Sequence, residues 1–332
     1  MPPVYVVQQG ARLRIDNRRL QVEREGEVLL QMPLAQVSEV VLFGNISLTT
    51  PAIDALLAQG TEVVFLTSGG DYRGRLVGGI TPHVPVRRAQ YQRAEQPDFV
   101  LKMAQGFAAA KLAHQRALLQ RHNRERGDPE IAAAIEQVGA GLGGMGRKTA
   151  LAAVRGAEGA ATAAYFGGLR RLLGPEWRFE RRARRPPPDP VNVLLSFGYT
   201  LLGQVAVGAV QAVGLDPYLG FLHELAYNRP ALGLDLLEEF RPVVDGVVLW
   251  CCNGGQVTAD DFTPGPADRP VVLSEAGQRR FLGAFEQRMA QTFTHPARGL
   301  KYPLRQCVVE QARQIVERVR AGPPGYTGMG FR

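Results

Sequence analysis

Two periods divide the chain. Up to about residue 80, apolar residues alternate with polar ones or come in short bursts: VYVVQQ, ARLRID, RRLQVE, EVLLQM, VSEVVLF, EVVFLT and DYRGRLVG. Alternation in branched residues, punctuated by turn chemistry at Gly10, Asp16-Asn17 and Glu25-Gly26, predicts short strands. One helix interrupts them, with Thr50 as its cap, Pro51 at its first position and Gly60 just past its end.

From Asp98 the period becomes 3.6. Helices are expected from about Phe99 to Asn123, from Asp128-Pro129 onward, and through the Ala- and Gly-rich stretch 146–173. The segment WRFERRARRPPPDP breaks the pattern. Asp189-Pro190 then opens a helix that Gly214 closes, and Pro230 opens another that Pro242 ends. VVDGVVLWCC and GGQVTADDF read as a hairpin or irregular excursion. Ser274 caps a helix to about Thr292, and a last helix covers about Gly299 to Arg320. The fold class is therefore α+β. A small β-rich N-terminal domain (1–80) leads through a polar, proline-bearing linker (81–97) to a larger all-helical domain (98–320) and a mobile tail (321–332).

Val191 to Leu215 carries no charge and is long enough to span a bilayer. Asn192, Ser196, Thr200, Gly203, Gln204 and Gln211 nevertheless draw one polar stripe along it. Its flanks are Asp189 and Asp216 rather than basic anchors. The stretch reads as a core helix, and no membrane partner is expected.

Charge adds direction. Lys plus Arg outnumber Asp plus Glu by 39 to 31, 35 of the 39 are Arg, and the isoelectric point is near 9.7. The first 90 residues are nearly neutral, so the excess lies in the helical part. Guanidinium forks match phosphate oxygens, which points to nucleic acid; a basic surface that only aids solubility is the plainer reading. Arg178, Arg181, Arg182, Arg184 and Arg185 are candidates to grip phosphates, with Arg229, Arg241, Lys301 and Arg305 beyond them. Cys251, Cys252 and Cys307 form neither a disulfide framework nor a zinc pattern, and the N-terminus lacks a signal-peptide pattern, so a cytoplasmic setting is expected. Walker, GxSxG, HExxH and zinc-finger motifs are missing from the sequence.

The remaining chemistry is acidic. In HELAYNRPALGLDLLEEFRP, Asp235, Glu238 and Glu239 share a helix face, with His223 upstream. A solvated acidic face is the plain reading. Glu158 is the only charge between Arg155 and Arg170, set among Gly, Ala and aromatic residues. Either Arg155 pairs with it at the surface, or it meets His223 and Glu238 around a shared cation. One imidazole and two carboxylates suit Mg2+ or Mn2+ better than zinc. Such an ion polarises a phosphodiester and activates a hydroxyl or water.

Four segments resemble the CRISPR-associated adaptation integrase family: EGAATAAYFGGL at 158, DPVNVLLSFGYTLL at 189, LDPYLGFLHELAYNRPALGLDLLEEFRP at 215 and VDGVVLWCCNGGQVTADDF at 244. The resemblance spans nearly the whole chain. It implies a metal-dependent DNA endonuclease and integrase with Glu158, His223 and Glu238 as catalytic metal ligands and Asp235 as an assisting carboxylate. It also implies attack of a 3′-hydroxyl on a phosphodiester, which joins a short duplex to a repeat array, and cutting of branched DNA. Dimers formed through the β domain and a small ferredoxin-like adaptation partner belong to the same expectation. Two rival readings remain open at this point: a structure-selective nuclease without an integration role, and a non-enzymatic DNA-binding scaffold.

Overall fold

A computed structural model describes residues 3–79 and 83–330. The N-terminal region holds β1 (Val4–Val6), β2 (Arg12–Asp16), β3 (Arg19–Arg24), β4 (Glu27–Pro33), β5 (Glu39–Phe43), β6 (Ser47–Leu48), α1 (Thr50–Gln59), β7 (Glu62–Leu66) and β8 (Tyr72–Leu76). The strands form two sheets, ordered β1-β5-β7-β8 and β4-β3-β2-β6. Asn17 and Arg18, both left-handed (φ 47° and 59°), make the tight turn that pairs β2 with β3. The cap of α1 is Thr49 rather than Thr50: its hydroxyl accepts the Ala52 amide at 3.3 Å. Gly60 closes the helix at φ 75°.

The strand period sorts the first sheet's side chains onto two faces. Val4, Val6, Val40, Leu42 and Val63 pack with Leu13, Leu20 and Val22 of the second sheet. Val7, Val41, Phe43, Val64 and Leu66 join the helical core instead, where Phe43 meets Phe197 with ring centres 5.7 Å apart. The β-rich region is therefore continuous with the helices through one shared core.

The rest of the chain comprises α2 (Val84–Ala94), α3 (Pro97–Arg126), α4 (Pro129–Gly144), α5 (Leu151–Arg170), α6 (Pro190–Ala212), α7 (Ala231–Asn253), β9 (Phe262–Pro264), β10 (Val271–Leu273), α8 (Glu275–Ala290), β11 (Thr292–Thr294), β12 (Lys301–Pro303) and α9 (Leu304–Arg320). The capping signals at Asp128, Asp189 and Ser274 all act as expected. Among the described residues α6 alone is long and apolar enough to cross a bilayer, and most of it is buried inside the protein. Its polar stripe receives arginines: Gln204 and Gln211 bind Arg75 of β8, while Asn192 and Ser196 bind Arg182.

Four expectations need correction. The helical region is not all-helical, since β9–β10 and β11–β12 form two small hairpins, and α9 begins at Leu304 after β12. Much of the 81–97 linker is helix α2, and buried Gln90 holds the carbonyls of Asp216 and Leu219 at 2.9 and 2.8 Å. Pro242 does not end its helix. A proline inside a helix costs about 3 kcal/mol, yet Val243, Val244, Val247, Val248, Leu249 and Cys251 beyond it are all buried. Each such side chain contributes about 1.5–3 kcal/mol on burial, so packing wins. Finally, the tail is docked as far as Met329: Tyr326 and Met329 are buried, and the Tyr326 ring lies 4.3 Å from that of Phe107.

Candidate active site

Three elements meet at the middle of α7. The first is α5, whose small residues let it lie close to its neighbours: a side chain at Gly168 would come within 3.1 Å of Leu119 on α3. This closeness carries Glu158 to Lys111 of α3, and the two form an ion pair. Thr162, one turn further along α5, donates to the same Glu158 oxygen at 2.8 Å.

The second element is the segment between α6 and α7, which carries His223. Asp235, fully buried on α7, organises it. One Asp235 oxygen accepts the amides of Phe221 (2.5 Å) and Leu222 (2.9 Å); the other accepts the His223 amide (2.9 Å) and lies 2.7 Å from His223 Nδ1. Gly220 makes this wrap possible, because a Cβ there would sit 2.7 Å from Asp235 Oδ2. Asp235 is thus saturated by the loop and positions the imidazole. The His223 Nε2 atom is left 3.7 Å from Glu238 Oε1. Arg155 does not pair with Glu158. It donates to the Leu222 carbonyl at 2.7 Å and pairs with Glu224, tying the histidine segment to α5.

Glu238 is the third element. Its Oε1 accepts Arg241 Nε at 2.8 Å, and its Oε2 lies 2.6 Å from Lys111 Nζ. Burial by itself would raise the Glu238 carboxyl; Arg241, Lys111 and His223 overcome that and hold it well below the usual carboxylate range. The acidic face is therefore interior: Asp235, Glu238 and Glu239 are all buried. Glu239 turns instead to α9 and the docked tail, where it accepts from Gln311 of α9 and from Tyr326 and the Met329 amide of the tail.

Among the described residues no three His, Cys, Asp or Glu side chains make a ready metal cage. Glu158 and Glu238 instead share one ammonium nitrogen, with His223 Nε2 at the side of Glu238. The donor set nonetheless fits a hard divalent cation. Glu238 Oε2 is buried and, despite its ion pair with Lys111, has no well-aligned hydrogen bond. Both carboxylates lie within ion-pair reach of one cationic point, and His223 and Glu158 are partly exposed, so the site opens on their side.

Behind Glu238 lies a polar layer. Arg241 is buried with its guanidinium 4.6 Å from the Tyr199 ring centre, and Arg182 approaches the same ring at 5.4 Å. Tyr199 and Tyr165 both donate to buried Asp245, whose carboxyl burial pushes up to about 6. The other basic candidates separate by location. Arg182, Arg184, Arg185 and Arg241 line a groove of about 1060 Å3, together with Arg75 and Arg269. Arg178, Arg181 and Lys301 are exposed elsewhere on the surface, and Arg229 is half-buried. Arg305 is engaged in ion pairs with Glu286 (2.6 Å) and Glu39 (3.8 Å), which join α9 to α8 and β5. Cys251 and Cys252 are buried and free, and burial pushes the Cys251 thiol up to about 12, which makes it a poor nucleophile or ligand.

The model of the family described as "CRISPR associated protein Cas1" matches residues 4–287. The chain belongs to the Cas1 family. A CRISPR-associated endonuclease Cas1 of Thermus thermophilus is 40% identical over 314 residues, covering 94% of each chain. A CRISPR-associated exonuclease Cas4/endonuclease Cas1 fusion of Geobacter sulfurreducens is 36% identical over 336 residues; the match takes in 98% of this chain and spans 59% of the fusion. Among solved structures, a casposase bound to integration product superposes with a TM-score of 0.87 at 20% identity, over 98% of this chain and 93% of that one. A Cas6-RT-Cas1–Cas2 complex gives 0.85 at 24%, over 100% of this chain and 36% of that one. These two likenesses show that the Cas1 fold covers both regions of the chain.

The sequence reading of this Cas1 chain missed Lys111. The signal was available: Lys111 is the only formal charge between Lys102 and Arg116, the same isolation that singled out Glu158.

Proposed function

We propose that this chain is a metal-dependent DNA endonuclease and strand-transfer integrase of CRISPR adaptation. The observation that supports it best is that Glu158 and Glu238 meet at one buried cation, with His223 Nε2 3.7 Å from the other Glu238 oxygen. Glu158, His223 and Glu238 would hold Mg2+ or Mn2+, which supplies charge neutralisation at the phosphodiester and lowers the pKa of an attacking hydroxyl. Asp235 fixes the imidazole so that Nε2 faces Glu238. Arg241 keeps Glu238 ionised and lines the adjoining arginine groove, where Arg184 and Arg185 would hold backbone phosphates.

In the reaction, the 3′-hydroxyl of a donor duplex gives up its proton to solvent as its oxygen bonds to a phosphorus of the target strand. The P–O bond to the target's 3′-oxygen breaks, and that oxygen takes up a proton as it leaves. The substrates are a duplex with free 3′ ends, a repeat array and branched DNA. The exposed Val28, Leu29 and Leu30 on edge strand β4 offer an apolar surface for a homodimer through the β-rich region. A small ferredoxin-like adaptation partner completes the assembly, a reading supported by the Cas1–Cas2 name of one structural neighbour. Three buried free thiols support a cytoplasmic setting.

The test is incubation of the protein, Mn2+ and a supercoiled plasmid with duplexes bearing free or blocked 3′ ends. Joined products that require the free hydroxyl support the proposal. Cleavage indifferent to the ends would leave a structure-selective nuclease. DNA binding unaffected by EDTA, with no turnover in either metal, would leave a scaffold.

A further inference from the structure

Resting on that reading, we propose that the Lys111 ammonium is a built-in competitor of the divalent cation. It holds Glu158 and Glu238 together in the metal-free protein and has to leave them when the metal binds.

Lys111 sits in the middle of α3 with its side chain 6% exposed. Lysine is rarely buried, and a buried ammonium persists only with paired carboxylates. Its ion-pair partners are two carboxylates from different helices, Glu158 of α5 and Glu238 of α7. Without Lys111 these carboxylates would face each other with Arg241 and His223 close by, and both of those are directed at the other Glu238 oxygen. The ammonium therefore supplies the charge that lets α3, α5 and α7 converge without metal.

The same contacts make it a rival. A cation bound by Glu158 and Glu238 Oε2 would occupy the space of the ammonium, and two like charges at that separation repel strongly in a buried setting. The four-carbon stem of lysine is flexible. The site is more open at Glu158 and His223, whose side chains are 20% and 19% exposed, so the ammonium can withdraw on that side. Loss of the positive charge at Lys111 should then move two quantities in opposite directions: metal-free stability falls and metal affinity rises.

Mn2+ is titrated calorimetrically, without DNA, into metal-stripped full-length wild type, Lys111→Met and Lys111→Gln, and each is melted in EDTA and in Mn2+. Both variants should melt lower than wild type in EDTA, bind Mn2+ at least about tenfold more tightly, and gain more from Mn2+ in melting temperature. Equal or weaker Mn2+ binding by the variants, while Glu158→Gln still abolishes wild-type binding, overturns the competition and leaves the metal reading standing. Absence of Mn2+ binding in wild type and variants alike overturns both. If the variants do not fold, wild type answers alone: acylation of Lys111 by an N-hydroxysuccinimide ester, read by peptide mass spectrometry against exposed Lys301, should be low in EDTA and rise in Mn2+. Unchanged labelling overturns the proposal.

Discussion

His223 Nδ1 lies 2.7 Å from Asp235 Oδ1, and the same oxygen accepts the His223 backbone amide at 2.9 Å. An ionised carboxylate only accepts hydrogen bonds, so Nδ1 donates to Asp235 and Nε2 is the ring nitrogen turned toward Glu238. Partners of this kind orient a metal-binding imidazole, and their loss typically costs 10- to 100-fold in metal affinity. Asp235→Asn should weaken Mn2+ binding in calorimetry by about that factor. Wild-type affinity in the variant would show that the ring needs no such partner.

The three candidate ligands should all be required for Mn2+-dependent strand transfer, but they should differ in stability. Removal of Glu238 takes the carboxylate partner from buried Arg241 and leaves buried Lys111 with Glu158 alone. Breaking a buried ion pair from one side costs about 3–5 kcal/mol. Glu238→Ala should therefore unfold at clearly lower denaturant than His223→Ala, although both lose activity and keep DNA binding. Equal unfolding midpoints would contradict the arrangement.

Asp245 gives the fold a pH dependence. Its carboxyl is raised from an ordinary 3.8 to about 6 by burial, so the native state keeps a proton that the unfolded chain releases. Stability contributed by this group is present below about pH 4, is lost as pH rises to about 6, and changes little above that. The loss is on the order of 2–3 kcal/mol. The stability of Asp245→Asn relative to wild type should therefore climb over that window and then level off, as read by urea denaturation across pH. A constant difference would refute the assignment.

The docked tail should be structural. Burial raises the Glu239 carboxyl, while His114, Tyr326, Gln311 and the Met329 amide offset part of the rise. Removal of residues 321–332 would expose Phe107 and strip buried Glu239 of two partners. The truncated chain should lose about 3 kcal/mol or more. Gly106→Ala tests the same contact without deletion, because its Cβ would collide with the Tyr326 backbone. Wild-type melting in both would argue against docking.

DNA affinity should depend on the groove. Arg184→Ala with Arg185→Ala should lower affinity for all sequences alike and reduce the salt dependence of binding by about two counterions. Arg305→Ala should instead lower stability, because Arg305 is held by Glu286 and Glu39. The reverse pattern would relocate the DNA path.

Much of the site was legible because isolation is a local signal. Glu158 stood alone in an Ala- and Gly-rich helix, and His223 and Glu238 lay in one recognisable run. Less legible was what each charge does, since that depends on elements distant in the chain. Lys111 meets Glu158 across 47 residues, and Asp245 receives Tyr165 across 80.

The sequence by itself determined strands β1–β5, β7 and β8, the helices apart from α2, the buried character of α6 and the small set of acidic and imidazole groups. Strand alternation, caps and helical period all act over a few residues, within reach of local backbone preferences. Only the tertiary structure decided that Lys111 rather than Arg155 neutralises Glu158, that Asp235 orients a ring, that α7 runs through Pro242 and that the tail covers Glu239. Each of those outcomes comes from burial: once water is excluded, a charge or a broken backbone bond takes whatever partner the packing of other helices brings to it.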